Sequence, residues 1–280
     1  MLKNLLKYEF KATGRMLGIL YAALIIMSCV CRVIFGLTER QAASQAPLIG
    51  PLAGFSVAAV VFIYGLLICA VLVVTFLMII QRFYKNLLQN EGYLMNMLPV
   101  KSWQHITAKL IAAVVWTIAS IAVVFLSIII LSTLAFSAQQ LTIAMFGDFV
   151  DAMKRGFEVI GVRGLYIIIM TLITMLLSVA ASVLHLYAAM AIGQTQNRYK
   201  IISSFAVYIG ISIVFQLIST LIFWASGYYI SDGGMLSVTN TMIGGLVSAG
   251  ITLTAVYTFL KCAILFLITN YFLKNKLNLE

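Results

Sequence analysis

Six stretches of this chain are long and apolar enough to cross a lipid bilayer, and they limit what it can fold into. They are residues 16–36, 54–80, 110–136, 165–192, 201–225 and 246–272. A crossing takes about 20 mostly apolar residues, because the hydrocarbon core is about 30 Å thick and a helix rises about 1.5 Å per residue. Within lipid each backbone N–H and C=O has to be satisfied inside the protein, which leaves helices or closed barrels. Runs of this length predict an all-α integral membrane protein with six transmembrane helices. Composition points the same way: 63% of the 280 residues are hydrophobic and 9% are charged, against roughly 45–50% and about 25% in soluble domains. An ordinary cytosolic enzyme, a disordered chain and a secreted disulfide scaffold are excluded. The sixth stretch reaches back to Thr241. It is longer than one crossing, so a tilted helix and a re-entrant piece over 241–256 are both open.

With six crossings both chain ends share one side. Twelve Lys and Arg residues fall on that side: Lys3, Lys7, Lys11 and Arg15 before the first span, Arg82, Lys85, Lys101 and Lys109 after the second, Arg198 and Lys200 after the fourth, and Lys274 and Lys276 in the tail. Five fall on the other, namely Arg32, Arg40, Lys154, Arg155 and Arg163. The excess of basic residues marks the cytoplasmic side, which predicts N-in, C-in. The net charge of +10 is therefore read as topology, and no nucleic-acid partner is expected. A basic start before an apolar run also resembles a signal peptide, but the five later spans favour a retained first helix. Cys29, Cys31, Cys69 and Cys262 all sit in apolar runs with no Cys/His cluster, so they read as small buried hydrophobes rather than a disulfide framework or a metal site.

Four segments outside the spans carry information. Residues 2–15 predict an amphipathic helix, with Leu2, Leu5, Leu6 and Phe10 along one stripe and Lys3, Lys7 and Lys11 at i, i+4. Such a helix lies in the membrane interface with its lysines at anionic headgroups, or serves only as a basic anchor. The domain reading is thus 1–15 as an interfacial helix and 16–280 as the transmembrane part. The inner loop 82–109 mixes apolar Leu87, Leu88, Tyr93, Leu94, Met97, Leu98 and Trp103 with polar residues, and Gly92 and Pro99 punctuate it. Apolar residues at a loop tip need either a protein surface or lipid. The outer loop 137–163 predicts a second amphipathic helix, with Ile143, Phe146, Phe149, Val150, Met153 and Phe157 near one face. The outer loop 226–245 is glycine-rich.

The chain carries no phosphate loop of the form Gly-x-x-x-x-Gly-Lys-[Ser/Thr], no Gly-x-Ser-x-Gly elbow and no His-Glu-x-x-His. It is not expected to be an enzyme, and no catalytic, cofactor-binding or metal-binding residue is assigned. No Asp or Glu lies in a span, which weakens proton-coupled transport. Lys261 is the oddity, since it lies inside the sixth span, too far from the inner surface to snorkel. It lines a cargo path, meets an acidic headgroup or pairs with backbone carbonyls, and Tyr257, one turn earlier, is placed to shield or bind it. His185 in the fourth span is a hydrogen-bonded core histidine or a third path residue.

The loop 82–109 shows Glu91-Gly92-Tyr93-Leu94, then Leu98-Pro99-Val100, then Lys109 at the entry to span three. In this the chain resembles the ABC-2-type permeases, the membrane subunits of bacterial ATP-binding cassette exporters. The resemblance implies a transport protein of the bacterial cytoplasmic membrane that works as a dimer of permease chains. It also implies a separate ATPase subunit that binds ATP-Mg; this chain would hold no cofactor itself. The loop would be the coupling element, with Arg82, Tyr84, Glu91, Gly92, Tyr93, Leu94, Met97 and Pro99 at the ATPase. Lys261, Tyr257 and His185 are the cargo-path candidates. The cargo implied is amphipathic or membrane-embedded: a drug, a peptide or a lipid. The competing class is a self-contained ion channel or secondary transporter.

Overall fold

A computed structural model of the chain describes residues 2–43, 50–88, 102–132, 147–148, 150–151, 154–155, 162–196, 199–232 and 240–275. Six long helices carry almost all of it: α1 (Leu2–Ala43), α2 (Gly50–Phe83), α3 (Ser102–Ser132), α4 (Val162–Gly193), α5 (Lys200–Asp232) and α6 (Asn240–Asn275). A single π-turn, Tyr84–Leu88, extends α2. Among the described residues there is no strand. Each helix contains a stretch long and apolar enough to cross a membrane: Leu5–Thr38, Val57–Leu87, Trp103–Leu131, Gly164–Gly193, Lys200–Ile222 and Val247–Lys274. The six-span expectation is therefore met, as in a multi-pass membrane protein.

One boundary differs from expectation, and one left open is decided. Residues 2–15 are not a separate amphipathic element; they run without a break into the first span, and the 42-residue helix is apolar as a whole. No proline stands between them, and a formed helix extends at little cost where nothing interrupts it. The side of this segment that turns inward is not purely apolar either, since Glu9 and Thr13 are buried there and Thr13 Oγ1 donates to the Glu9 carbonyl at 2.8 Å. At the other end of the chain α6 is continuous from Asn240, so 241–256 forms no re-entrant turn. Its 36 residues amount to about 54 Å of helix, which exceeds the bilayer core and fits a tilted or protruding helix. In the loop 137–163, residues 147–148, 150–151 and 154–155 have helical backbone. Ile143, Phe146, Phe149, Met153 and Phe157 lie outside the described residues.

The chain divides into two compact units. One comprises Leu6–Ile79 and Val115–Ala152, the other Met1–Leu5, Ile80–Val114 and Met153–Glu280. In the first unit Leu24, Cys31, Tyr64 and Val71 form the buried centre, with Leu20, Met27, Phe35, Leu67, Val124 and Leu131 packed around it. Lipid supplies no hydrophobic drive between helices, so hydroxyl bonds matter more there. Ser120 and Ser127 lie seven residues apart, on one face of α3. Tyr21 Oη is 2.7 Å from Ser120 Oγ, and Thr75 Oγ1 is 2.8 Å from it. Tyr64 Oη is 2.8 Å from Ser127 Oγ. Ser120 donates to the Trp116 carbonyl at 2.9 Å and accepts from Tyr21, while Thr75 donates to the Val71 carbonyl at 2.7 Å or to Ser120 Oγ. Ser120→Ala removes the link between α1 and α2. It is expected to lower the stability of the purified chain by about 1 kcal/mol in an SDS-titration unfolding curve; an unchanged midpoint would contradict the role given to this hydroxyl chain.

In the second unit α4 packs along both α6 and α5. The α4–α5 connection is tight. A Cβ built on Gly193 would come within 2.5 Å of Ser204 Cα and 2.6 Å of Ser204 N, so only glycine lets the two backbones approach there. The cysteines divide: Cys31 is buried, Cys262 half-buried, and Cys29 and Cys69 are exposed. The expectation that all four are buried therefore fails for two, which sit on the outer faces of their helices.

Candidate functional site

Two groups of side chains in the second unit bear on function. The first lies where the segment 82–109 leaves and re-enters the helices. Lys109, a buried residue of α3, donates from Nζ to the Arg82 carbonyl at 3.3 Å, in the last turn of α2 before the π-turn continues it. Just beyond, the π-turn buries Leu87 while Phe83 is fully covered. Phe83 stacks on Tyr187 of α4, with ring centroids 3.9 Å apart and planes at 11°. The Tyr187 hydroxyl donates to the Lys109 carbonyl at 3.4 Å. Phe83, Arg82, Lys109 and Tyr187 together tie both limbs of the segment to one place on α4. π-turns are rare and recur at functional positions, and this one falls at the root of the segment.

Of the residues assigned to ATPase coupling, Arg82 and Tyr84 are placed here, both half-buried. Glu91, Gly92, Tyr93, Leu94, Met97 and Pro99 lie outside the described residues. His105, on the first turns of α3, is buried, and its Nε2 has no hydrogen-bond partner among the described residues.

The second group lies at depth in α4, α5 and α6, and the structure brings the three cargo-path candidates together around Phe215. Lys261 Nζ sits 5.0 Å from the centroid of the Phe215 ring, within range of a cation–π attraction. The Tyr257 hydroxyl donates to the Phe215 carbonyl at 2.8 Å. The His185 ring lies 6.4 Å from the Phe215 ring and 4.6 Å from the Tyr208 ring. His185 Nε2 is 3.2 Å from both the Tyr208 carbonyl and Ser212 Oγ. A carbonyl only accepts, so that bond places the proton on Nε2. His185 is thus buried and hydrogen-bonded, and Tyr257 serves the α5 backbone. The aromatic shield over Lys261 is Phe215, not Tyr257. Nearby, the Cys262 thiol reaches the Leu177 carbonyl of α4 at 3.4 Å.

Sequence reasoning left out Phe83, Tyr187, Phe215 and Ser212. A signal existed for Tyr187, a lone large aromatic in the small-residue run that ends α4, two positions from His185. Phe215 had none, since α5 offers many apolar side chains and its sequence does not distinguish the one facing the neighbours. Compared with protein-family models, with curated proteins and with solved structures, the chain has no match.

Proposed function

We propose that this chain is the membrane-embedded permease subunit of an ATP-driven exporter of the bacterial cytoplasmic membrane. It couples to a separate ATPase through the segment 82–109. The observation that carries this reading is the tie of both limbs of that segment to α4 through Lys109, the Arg82 carbonyl, Phe83 and Tyr187. A push on an unanchored loop dissipates in the loop. A push on this one reaches α2, α3 and α4 together, which is what transmission from a partner to the spans requires. The order Glu91, Gly92, Pro99, Val100 and Lys109 supports it by resemblance. So does the basic excess on the side of this segment, which favours N-in, C-in, with Lys7 and Lys11 exposed near the start of α1 where anionic headgroups would meet them.

In this reading Glu91 makes polar contacts with the ATPase, while Tyr93, Leu94 and Met97 fill its groove. ATP-Mg is bound and hydrolysed on that subunit. A second permease chain completes the path, and the cargo is amphipathic or membrane-embedded. A self-contained channel or carrier is the second reading, favoured by the charge of Lys261 deep in the helices. Export measured in cells separates the two. Glu91→Ala combined with Tyr93→Ala is expected to reduce ATP-dependent export by at least about tenfold, the size typical of losing a central anchor at an interface, with the level of the chain in the membrane unchanged. Solute flux through the purified chain alone in liposomes, unaffected by these substitutions, would replace the first reading with the second.

A further inference from the structure

Lys261 is the only charge in the interior of the α4, α5 and α6 spans; Lys200 and Lys274 stand at span ends. It lies thirteen residues before Lys274 and fourteen after Val247, so about 20 Å of helix separates it from either end. A lysine stem is far shorter than that, which rules out reaching the headgroups. No carboxylate stands on any of these three spans. Among the described residues its ammonium has no hydrogen-bonded or carboxylate partner; the Phe215 ring lies 5.0 Å away, and His185 and Cys262 are near enough to feel its charge. An ammonium has three N–H donors, and a ring face answers only one direction. An uncompensated cation at this depth is unfavourable, and residues of this kind mark pathways.

The surroundings specify what compensates it. Lys261 is half-buried, and Leu260 and Ile264, one turn apart along one side of it on α6, are exposed and apolar. A water-borne anion would have to shed its hydration to arrive there. An acid carried on a long apolar chain arrives already in hydrocarbon and lays that chain along the same surface. We propose that Lys261 binds the acidic group, phosphate or carboxylate, of a long-chain amphiphile in mid-span. This deepens the cargo-path reading and rests on α4–α6 crossing the membrane. It does not depend on an ATPase, so failure of the coupling reading would leave it standing.

The test uses the whole chain in phosphatidylcholine vesicles with traces of spin-labelled phosphatidic acid, stearic acid or phosphatidylcholine, read as the immobilised fraction by electron paramagnetic resonance. At least one acid is expected to be held roughly fivefold more strongly than phosphatidylcholine, the effect of one lysine on one acidic lipid. Which acid responds distinguishes phosphate from carboxylate. Lys261→Met should erase that preference and Lys261→Arg should keep it. The methionine variant replaces a charge by an apolar side chain of similar length, so it is expected to fold at least as well, which its melting curve checks. An unchanged preference in Lys261→Met overturns the proposal. Erasure of the preference by excess inorganic phosphate, with the wild-type chain, overturns it too, since the site would then belong to a water-borne anion.

Discussion

Tyr187→Ala is expected to cost about 3–5 kcal/mol of stability, the range for truncating a large buried aromatic, and to abolish coupled transport in the protein that still folds. Tyr187 is 1% exposed and is the largest fully buried side chain among the described residues. Its truncation removes the ring stacked on Phe83 and leaves a cavity at the root of the 82–109 segment. Tyr187→Phe separates packing from the hydroxyl. It keeps the stack and loses the hydroxyl's 3.4 Å bond to the Lys109 carbonyl, a long and weak one, so a loss under about 1 kcal/mol is expected. Unfolding curves in SDS for the two variants check this. Equal effects would mean that the hydroxyl, not the stack, holds the segment to α4.

Gly193→Ala is the second large effect. The added methyl meets Ser204 Cα and N, and backbone atoms cannot rotate aside as a side-chain end does. The turn between α4 and α5 has to open, at a cost on the order of 3 kcal/mol. Shortening Ser204 is not expected to rescue it, because the backbone of that residue is itself in the way. Gly210→Ala, in α5 with nothing within 4 Å of its built Cβ, is the control; it is expected to be neutral or stabilising by up to about 1 kcal/mol through helix propensity. If both substitutions behaved alike in thermal melts, the close approach at Gly193 would be refuted.

The contrast between these residues and the spans shows what a sequence of this kind discloses. Span number was legible because it depends only on the length of local apolar runs, and every run became a helix. Helix ends were less so. Nothing in residues 2–15 stops a helix, and α5 and α6 continue into the loop 226–245, to Asp232 and from Asn240. Lys109, His185, Tyr257 and Lys261 drew notice singly because each is polar in an apolar setting. Their companions did not. Phe83 and Tyr187 are more than a hundred residues apart, and their stacking depends on how α2 and α4 are rotated. Ser212 and Phe215 mark the inner face of α5 only weakly, since Ile213, Val214 and Leu217 are as apolar as Phe215 and face outward. In a membrane the outer face of a helix is as hydrophobic as its packed face, so the periodicity that reveals a core in water is lost.

The 82–109 segment is proposed to engage a separate ATPase. The most direct test is mild-detergent purification of the tagged chain from its native membrane, before and after crosslinking, with mass spectrometry of the co-eluting proteins. The expected result is a near-stoichiometric protein that contains a phosphate loop, hydrolyses ATP, and is lost when Glu91 and Tyr93 are both replaced by alanine. Recovery of this chain alone, crosslinked or not, together with solute flux through it in liposomes without ATP, would mean that the segment engages no ATPase.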